Sequence, residues 1–480
     1  MHETPAATSP ATGSPATTGP ATSKVEQHTI HPIPLDERHG RMRDLFTLWI
    51  GANIHALTIV TGALATITLG LPLWWALAAL LAGNLVGGIF MALHAAQGPQ
   101  LGVPQMIQTR GQFGSVGSIC IVAVVIVMYL GFTASTVVLG GQSIHSILPA
   151  VDERVGTVVI ALASLWATVW GHDMIHAYGR WLAIGCGLAL AATFGWIFWV
   201  HGVPASALSH GHLSLVGFLG ALSAGALWQI AYAPYVSDYT RYLPEESGAR
   251  QAFWSSYLGC VLGSMLPMAL GALMGAILGQ TDVVASLAAL TGPLAVPIVV
   301  LFTLGLCETT ALQVYCAVLS IITVAQNFLE DWRPQAMTRA LIAIGFSLLG
   351  LGFALLGAKN FLGWYSNFID LLMNVMAPWT AINLVDYYMV RKGEYHVPSF
   401  FMKDGGVYGY VNKPALGCYL FGTLIQIPFM ANDLVTGPVA RALGGLDLSW
   451  IVALLVISPL YLVLARAQDR RRPPRAALAL

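Results

Sequence analysis

Two stretches decide how this chain folds: "WIGANIHALTIVTGA" from Trp49 to Ala63, and "LSAGALWQIAYAPYVSDYTRYLP" from Leu222 to Pro244. Both are apolar enough to lie in a membrane, and both are interrupted by glycine, proline and amide side chains. Transporters built from inverted repeats form their site at discontinuous helices in corresponding positions of the two halves. Because glycine and proline are also common in ordinary membrane helices, the interruptions alone leave both interpretations open.

The composition supports a membrane protein. The chain has 480 residues, of which 56% are hydrophobic and 9% are charged, and its mean hydropathy is +0.70. A soluble multidomain protein of this length carries far more charge, so we predict an all-α protein that crosses the membrane many times. Hydropathy windows predict about twelve spans. We number them 1 to 12, at residues 46–69, 73–96, 115–148, 155–171, 179–201, 214–235, 254–279, 294–325, 338–356, 362–390, 415–430 and 447–466.

The positively charged residues set the predicted orientation. If the N-terminus is cytoplasmic, all but three of the 22 Lys and Arg residues lie on the cytoplasmic side, and the exceptions are Arg154, Lys359 and Arg441. This asymmetry predicts a bacterial inner-membrane protein with both termini cytoplasmic. We expect a disordered tail over residues 1–35, a transporter domain over 36–466 and a basic tail over 467–480. The net charge of zero gives no sign of nucleic-acid binding.

The interrupted spans 1 and 6 are five spans apart. This spacing predicts two repeats, over residues of about 46–201 and 214–390, with two further helices over 415–466.

A carboxylate lies deep in span 8, since "LGLCETTALQVY" places Glu308 in an otherwise apolar run. A charge at that depth costs about 3 kcal/mol unless it has a partner or lines a wet cavity. Glu308 therefore takes part in ion movement or pairs with a polar group at a helix interface.

Five motifs resemble the nucleobase:cation symporter-1 family, in its purine-cytosine permease branch. They are "DERHGRMRDLFTLWIGAN", "LHAAQGPQLGVPQMIQTRGQFG", "YLGFTASTVVLGGQ", "WQIAYAPYVSDYTRYLP" and "PWTAINLVDYYMVRKGEY", and they extend from about Asp36 to Tyr395 in the family's order. The resemblance implies a leucine-transporter-type fold of five plus five inverted helices and two more. It also implies import of planar nitrogen heterocycles such as cytosine, purines, uracil, allantoin, hydantoins or thiamine precursors, driven by sodium or protons.

The resemblance also implies a substrate site. The family stacks the ring between aromatics on spans 3 and 6, which fall on Phe132 and on Trp228, with a one-residue ambiguity that makes Gln229 a further candidate. The family's rim positions fall on residues able to hydrogen-bond a ring edge, and Asn53 is included as the neighbour of His55 at the break. The predicted rim is His55, Asn53, Thr136, Gln229 and Gln313.

The family's sodium site is built from backbone carbonyls and hydroxyls of spans 1 and 8. Its positions fall on Gly51, Ile54, Leu306, Thr309 and Thr310. Oxygen ligands suit a hard cation, although a membrane threonine also commonly bonds back to the carbonyl one turn earlier. We predict no cofactor other than the coupling ion.

Four acidic residues in or at the ends of the predicted spans are further candidates. Glu308 is predicted to couple transport to protons, paired with His55 across the seam between spans 1 and 8. Asp238 and Asp386 are predicted to pair with Arg241 or Arg391 at the cytoplasmic ends of spans 6 and 10, as gate or structural groups. Asp370, one turn from Asn374, contacts span 1 or ties helices together.

Two other functions compete with heterocycle transport. A membrane-embedded enzyme would need a nucleophile with a base or a metal group, and "HDMIH" at His172–His176 is too weak a signal for one. The same fold could carry an amino acid or amine, with Glu308 receiving the amine. No Walker motif occurs and no soluble domain is long enough to hydrolyse ATP, so we do not expect ATP-driven pumping, and we expect no obligatory protein partner.

Overall fold

The fold is known from a computed structural model, which describes residues 30–170, 172–209, 211–329, 332 and 334–470. The predicted all-α class is confirmed, because these residues form helices and a single isolated β-bridge, Ala431 to Thr436. The side chains of "HDMIH" lie outside the described part. Residues 30–35, predicted to belong to a disordered tail, instead pack against the protein. Ile30 and Ile33 are buried there, and the Ile33 amide donates to the Gly102 carbonyl over 3.0 Å.

Each predicted span corresponds to helical structure. Spans 1 and 6 each consist of two helices, and spans 5 and 10 each end in a π-helical turn. The helices are Met42–Gly51 and Ala56–Ile67 (span 1), Leu73–Ala95 (2), Ser118–Ile147 (3), Glu153–Trp170 (4), His172–Trp196 with Ile197–His201 (5), Leu215–Ile230 and Val236–Thr240 (6), Glu245–Leu278 (7), Ala295–Ala325 (8), Ala336–Gly357 (9), Phe361–Val385 with Asp386–Val390 (10), Lys413–Ile425 (11) and Ser449–Asp469 (12).

By length and apolarity, the described residues contain seven helical stretches able to cross a membrane, or eight if the bent pair of span 1 is counted. One of the seven, Ala336–Val390, has 55 residues. At 1.5 Å per residue it would be far longer than the bilayer is thick, so it is two spans, 9 and 10, joined by the turn Ala358–Asn360. The first half of span 6, Leu215–Ile230, is apolar but shorter than these stretches.

The element order repeats. The two halves of span 1 are bent by 62° at the break, and span 6 is interrupted in the same place in the second set of five. Nine-residue helices, Gln105–Phe113 and Val283–Thr291, precede span 3 and span 8 respectively. The π-helical turns close spans 5 and 10. Five helices with the same irregularities thus occur twice, followed by spans 11 and 12.

The second half of span 1 packs closely on span 7 through two glycines. A Cβ at Gly271 would overlap the carbonyl oxygen of Ile59, and one at Gly62 would overlap the backbone of Met268. Small residues let membrane helices approach this closely. The contact holds the second half of the broken span 1 against an unbroken helix.

We therefore expect Gly271→Ala to lower the thermal unfolding midpoint of the purified protein in detergent. The methyl group would overlap backbone, which cannot move aside, and overpacking of this kind costs about 1–3 kcal/mol. Gly352→Ala in span 9 is the matched control, because a Cβ there meets no described atom within 4 Å. Equal midpoints for the two variants would contradict the close packing.

Candidate substrate and cation site

A narrow cleft lies where the breaks of spans 1 and 6 face spans 3 and 8. It brings together five of the predicted substrate and cation residues: His55, Phe132, Trp228, Thr309 and Gln313. Leu57, Ala231, Tyr232 and Tyr235 complete the lining. The cleft exists because the chain leaves helical geometry at residues 52–55 and 231–235.

Several polar groups of this lining have no hydrogen-bond partner among the described residues. Both ring nitrogens of His55 and the Oε1 atom of Gln313 are buried without a hydrogen bond of good geometry, and the His55 ring lies beside the backbone of Ala52. The hydroxyls of Thr309 and Tyr235 also make no hydrogen bond within the described part of the chain. Since buried polar groups are nearly always paired, the two buried side chains without a well-formed hydrogen bond, His55 and Gln313, mark the cleft as a candidate ligand site.

The two predicted stacking aromatics are in contact with each other. The Phe132 and Trp228 rings have centroids 6.4 Å apart and planes at 84°, so they meet edge to face and do not form two parallel walls. Phe132 also meets Phe368 of span 10 edge to face, at 5.1 Å. In this arrangement, a flat ligand that stacks on Trp228 meets Phe132 through an edge.

Three predicted rim residues lie behind the walls of the cleft. Gln229 donates to the side-chain oxygens of Asn84 and Ser264, each over 2.7 Å, so it faces spans 2 and 7. The Thr136 hydroxyl lies 3.0 Å from the Phe132 carbonyl and 2.7 Å from the Thr310 hydroxyl. Asn53 is fully buried between spans 1 and 6. None of the three belongs to the lining of the cleft, and apart from the unpaired Gln229 Oε1 atom their side-chain polar groups are used within the protein.

Tyr232 and Tyr235 line the cleft but were not among the predicted residues. They follow Trp228 by four and seven positions, the spacing of one helical face, and this spacing is the sequence signal for them. The Tyr232 hydroxyl donates to the Asn53 side chain over 2.9 Å. The Tyr235 hydroxyl is therefore the new rim group.

The predicted cation positions meet at the seam between spans 1 and 8. The Ile54 carbonyl accepts no hydrogen bond from a described residue. It faces Gly305 of span 8, because a Cβ atom added at Gly305 would lie 3.4 Å from the Ile54 carbonyl oxygen. Thr309 is one turn beyond Gly305, and its hydroxyl is unpaired. Ile54 and Thr309 thus fit a hard cation.

The remaining cation positions are engaged within the protein. The Gly51 carbonyl accepts from the Ile54 amide over 3.2 Å. The Thr310 hydroxyl bonds back to the Leu306 carbonyl over 2.7 Å, which is the alternative that needs no ion. Each of these oxygens keeps a lone pair besides its hydrogen bond, so the bonds alone do not prevent the three residues from binding a cation.

Glu308 is not paired with His55. Its carboxylate lies near the Cys186 thiol of span 5, and it forms no ion pair or hydrogen bond with a described residue. The Cys186 sulfur is also close to Gly305, since a Cβ atom added at Gly305 would lie 3.5 Å from that sulfur. Glu308 therefore borders the seam of Ile54 and Thr309 on the side of span 5. It is absent from the described lining of the cleft.

The cytoplasmic acids take part in a polar network. Asp386 pairs with Arg391 at 3.0 Å, as predicted, and the Tyr461 hydroxyl of span 12 donates to it over 2.8 Å. The Asp238 carboxylate accepts from the Gln105 amide over 2.9 Å, at the start of the helix before span 3. Arg241 donates to the backbone carbonyl of Asp238 over 3.2 Å.

Asp370 makes no hydrogen bond to the described residues of span 1. It lies near Asp433 and Asp447 in the loop between spans 11 and 12. The contact between spans 10 and 1 is made by the hydroxyls of Tyr365 and Thr61, which are 2.7 Å apart. The Asn374 carbonyl instead accepts from Gln426 of span 11, also over 2.7 Å.

Comparison with known proteins agrees with this architecture. Residues 32–453 match the family described as "Permease for cytosine/purines, uracil, thiamine, allantoin". Bacillus subtilis (strain 168) YxlA, named as a purine-cytosine permease, is 39% identical over 452 residues, which is 94% of this chain and 98% of YxlA. The purine-cytosine permease fcyB of Emericella nidulans is 23% identical over 89% of this chain and 85% of its own.

The solved structures show the same fold. Mhp1, a nucleobase-cation-symport-1 family transporter in a closed conformation with bromovinylhydantoin bound, superposes with a TM-score of 0.74 at 17% identity, over 94% of this chain and 97% of its own. Its inward-facing conformation gives a TM-score of 0.70. The resemblance and the five-plus-five fold predicted from the sequence are thereby confirmed, and the chain belongs to the family of permeases for cytosine/purines, uracil, thiamine and allantoin.

Proposed function

We propose that this protein is a secondary active symporter of the bacterial inner membrane that imports a planar nitrogen heterocycle together with a cation. The substrate is a nucleobase such as cytosine or a purine, or a related hydantoin- or allantoin-like ring. The observation that carries this proposal is the cleft at the two helix breaks, where aromatic faces and unpaired polar groups converge. The names of YxlA and fcyB and the hydantoin bound to Mhp1 support the same class of substrate.

The lining suits the edge and the face of such a ring. Trp228 offers a flat apolar face, on which a heterocycle stacks. The Gln313 amide has both donor and acceptor atoms, and His55 offers one of each in its neutral form, so they match neighbouring donor and acceptor atoms on a base. The Tyr235 and Thr309 hydroxyls adapt to either role. No carboxylate belongs to the described lining, which gives no support to an amine or amino-acid substrate.

A second narrow space suits movement of the substrate toward the cytoplasm. It shares Tyr232, Tyr235, Thr309 and Gln313 with the cleft and continues to Tyr239, toward the predicted cytoplasmic side. On the other side, Phe132 meets Phe368 of span 10, which also lines an apolar groove between spans 3, 9 and 10. We propose transport alone, without an enzymatic activity, a cofactor or an obligatory protein partner.

The coupling cation, sodium or a proton, is placed by this proposal at the seam between the break of span 1 and span 8. The Ile54 carbonyl and the Thr309 hydroxyl are free to bind it, and the carboxylate of Glu308 lies beside them without a partner. An intramembrane carboxylate is by default a candidate for ion or proton movement. Since Thr309 also lines the cleft, cation and substrate would touch the same side chain.

We expect Trp228→Ala to weaken equilibrium binding of the transported heterocycle to the purified protein. Stacking of a base on an aromatic ring is worth about 1–3 kcal/mol, so the dissociation constant should rise roughly 5- to 150-fold. Trp199→Ala is the matched control, because Trp199 is 85% exposed at the end of span 5. Equal affinities of the two variants would rule out Trp228 as the stacking face.

We also expect Thr309→Val and Glu308→Gln each to reduce the part of uptake that depends on the coupling gradient. The first removes a cation ligand, and the second removes the charge beside it. Initial uptake into proteoliposomes would be measured under a sodium gradient and, separately, under a pH gradient, and the gradient that drives the wild type identifies the ion. Thr303→Val is the control on the same span, since its hydroxyl bonds back to Val299 over 2.7 Å. If uptake by both variants depended on the gradient as it does in the wild type, the seam would be excluded as the site of the coupling cation.

A further inference from the structure

Asn53 has the most complete set of hydrogen bonds near the cleft. Its Oδ1 atom accepts from Trp228 Nε1 over 2.7 Å and from the Tyr232 hydroxyl over 2.9 Å. Its Nδ2 atom donates one N–H to the Trp49 carbonyl over 2.7 Å and the other to the Cys260 thiol. Its own backbone carbonyl accepts from the Thr58 hydroxyl over 2.5 Å. The side chain is fully buried, so no atom of Asn53 is left to hydrogen-bond a ligand.

These bonds connect the breaks of spans 1 and 6. Asn53 lies in the non-helical residues of span 1, Trp228 lies in the last turn of the first half of span 6, and Tyr232 lies in the break that follows. Tyr232 also packs edge to face on Trp49, with ring centroids 5.3 Å apart. One amide oxygen therefore anchors two of the aromatic side chains that line the cleft.

The two stacking aromatics differ in how they are held. The Trp228 ring is fixed by a hydrogen bond through its Nε1 atom, which allows one orientation of the indole. Phe132 has no such atom and touches its neighbours Trp228 and Phe368 only through ring contacts. An aromatic that is anchored at one polar atom presents a defined face, whereas an unanchored phenyl ring can turn.

We propose that Asn53 is a positioning residue that fixes the Trp228 indole as the stacking face of the cleft without touching the substrate. The proposal rests on the proposed function, because it assigns Asn53 to the wall of that same site. It replaces the sequence-based prediction that Asn53 contacts the substrate. A direct ligand and a positioning residue both reduce binding when removed, so the test has to separate them.

A double-mutant cycle makes this separation. Asn53→Leu is measured in the wild-type background and in a background carrying Trp228→Phe and Tyr232→Phe, which keeps aromatic rings but removes both donors. We expect Asn53→Leu to raise the dissociation constant of the transported heterocycle at least tenfold in the wild type. In the donor-free background it should change that constant less than threefold, since nothing remains for Asn53 to hold. The same factor in both backgrounds would overturn the proposal and make Asn53 a direct ligand.

A spectroscopic measurement keeps the proposal testable without a ligand. The full-length protein would be labelled with 5-fluorotryptophan, and the ¹⁹F resonance of Trp228 assigned by its loss in Trp228→Phe. We expect Asn53→Leu to shift or broaden this resonance, while Asn367→Leu in span 10 leaves it unchanged. An unaltered Trp228 signal in Asn53→Leu would overturn the proposal. If the wild type binds no heterocycle, the proposed function fails, but the fluorine signal still decides whether Asn53 orients Trp228.

Discussion

A backbone group inside a membrane must find a partner within the protein or face a cavity, because hydrocarbon offers no hydrogen bonds. The break of span 1 is where this constraint shapes the molecule most. Four residues leave the helix there, and most of the freed groups are satisfied locally, by Thr58 on the Asn53 carbonyl and by Asn53 on the Trp49 carbonyl. The Ile54 carbonyl is left over, and it faces Gly305 of span 8. The break thus creates both the cation seam and the anchor for the wall of the cleft.

The cytoplasmic half of the structure is held by amides and by the buried ion pair of Asp386 and Arg391. The Gln97 amide donates to the Asn383 side chain over 2.8 Å, and Gln105 donates to Gln97 over 3.3 Å. The Asn383 amide in turn donates to the Gln112 side-chain oxygen over 3.4 Å. Gln112 donates to Tyr395 over 3.1 Å, and the Tyr395 hydroxyl bonds Asp386. Because Gln105 also binds Asp238, this chain connects the cytoplasmic ends of spans 6 and 10 through the helix before span 3.

The fold could be predicted from the sequence because its signals are local. Hydropathy locates the spans, and the glycine, proline and amide residues of "WIGANIHA" and "WQIAYAP" mark the two breaks. The site could be predicted only in part. His55, Phe132, Trp228, Thr309 and Gln313 meet at the cleft. Asn53, Thr136 and Gln229 do not, since the rotation of each helix about its axis directs a side chain to the cleft or to a neighbouring helix.

The remaining differences have the same physical origin. Glu308 and His55 lie on neighbouring spans, yet the Gly305 contact places Ile54 and His55 against one side of span 8 while Glu308 turns to Cys186 of span 5. Tyr235 could have been found from its spacing to Trp228, but its role depends on the break after Ile230 that leaves its hydroxyl facing the cleft. Such contacts depend on packing between distant segments, which local sequence patterns do not encode.

The central claim is that the cleft binds a planar nitrogen heterocycle. The most direct test is uptake by the purified wild-type protein in liposomes, using labelled cytosine, hypoxanthine, uracil, allantoin and hydantoin, with leucine and choline as comparison compounds. The account predicts concentrative uptake of at least one heterocycle under a sodium or pH gradient, and no uptake of leucine or choline. Uptake of leucine or choline without any heterocycle would contradict it.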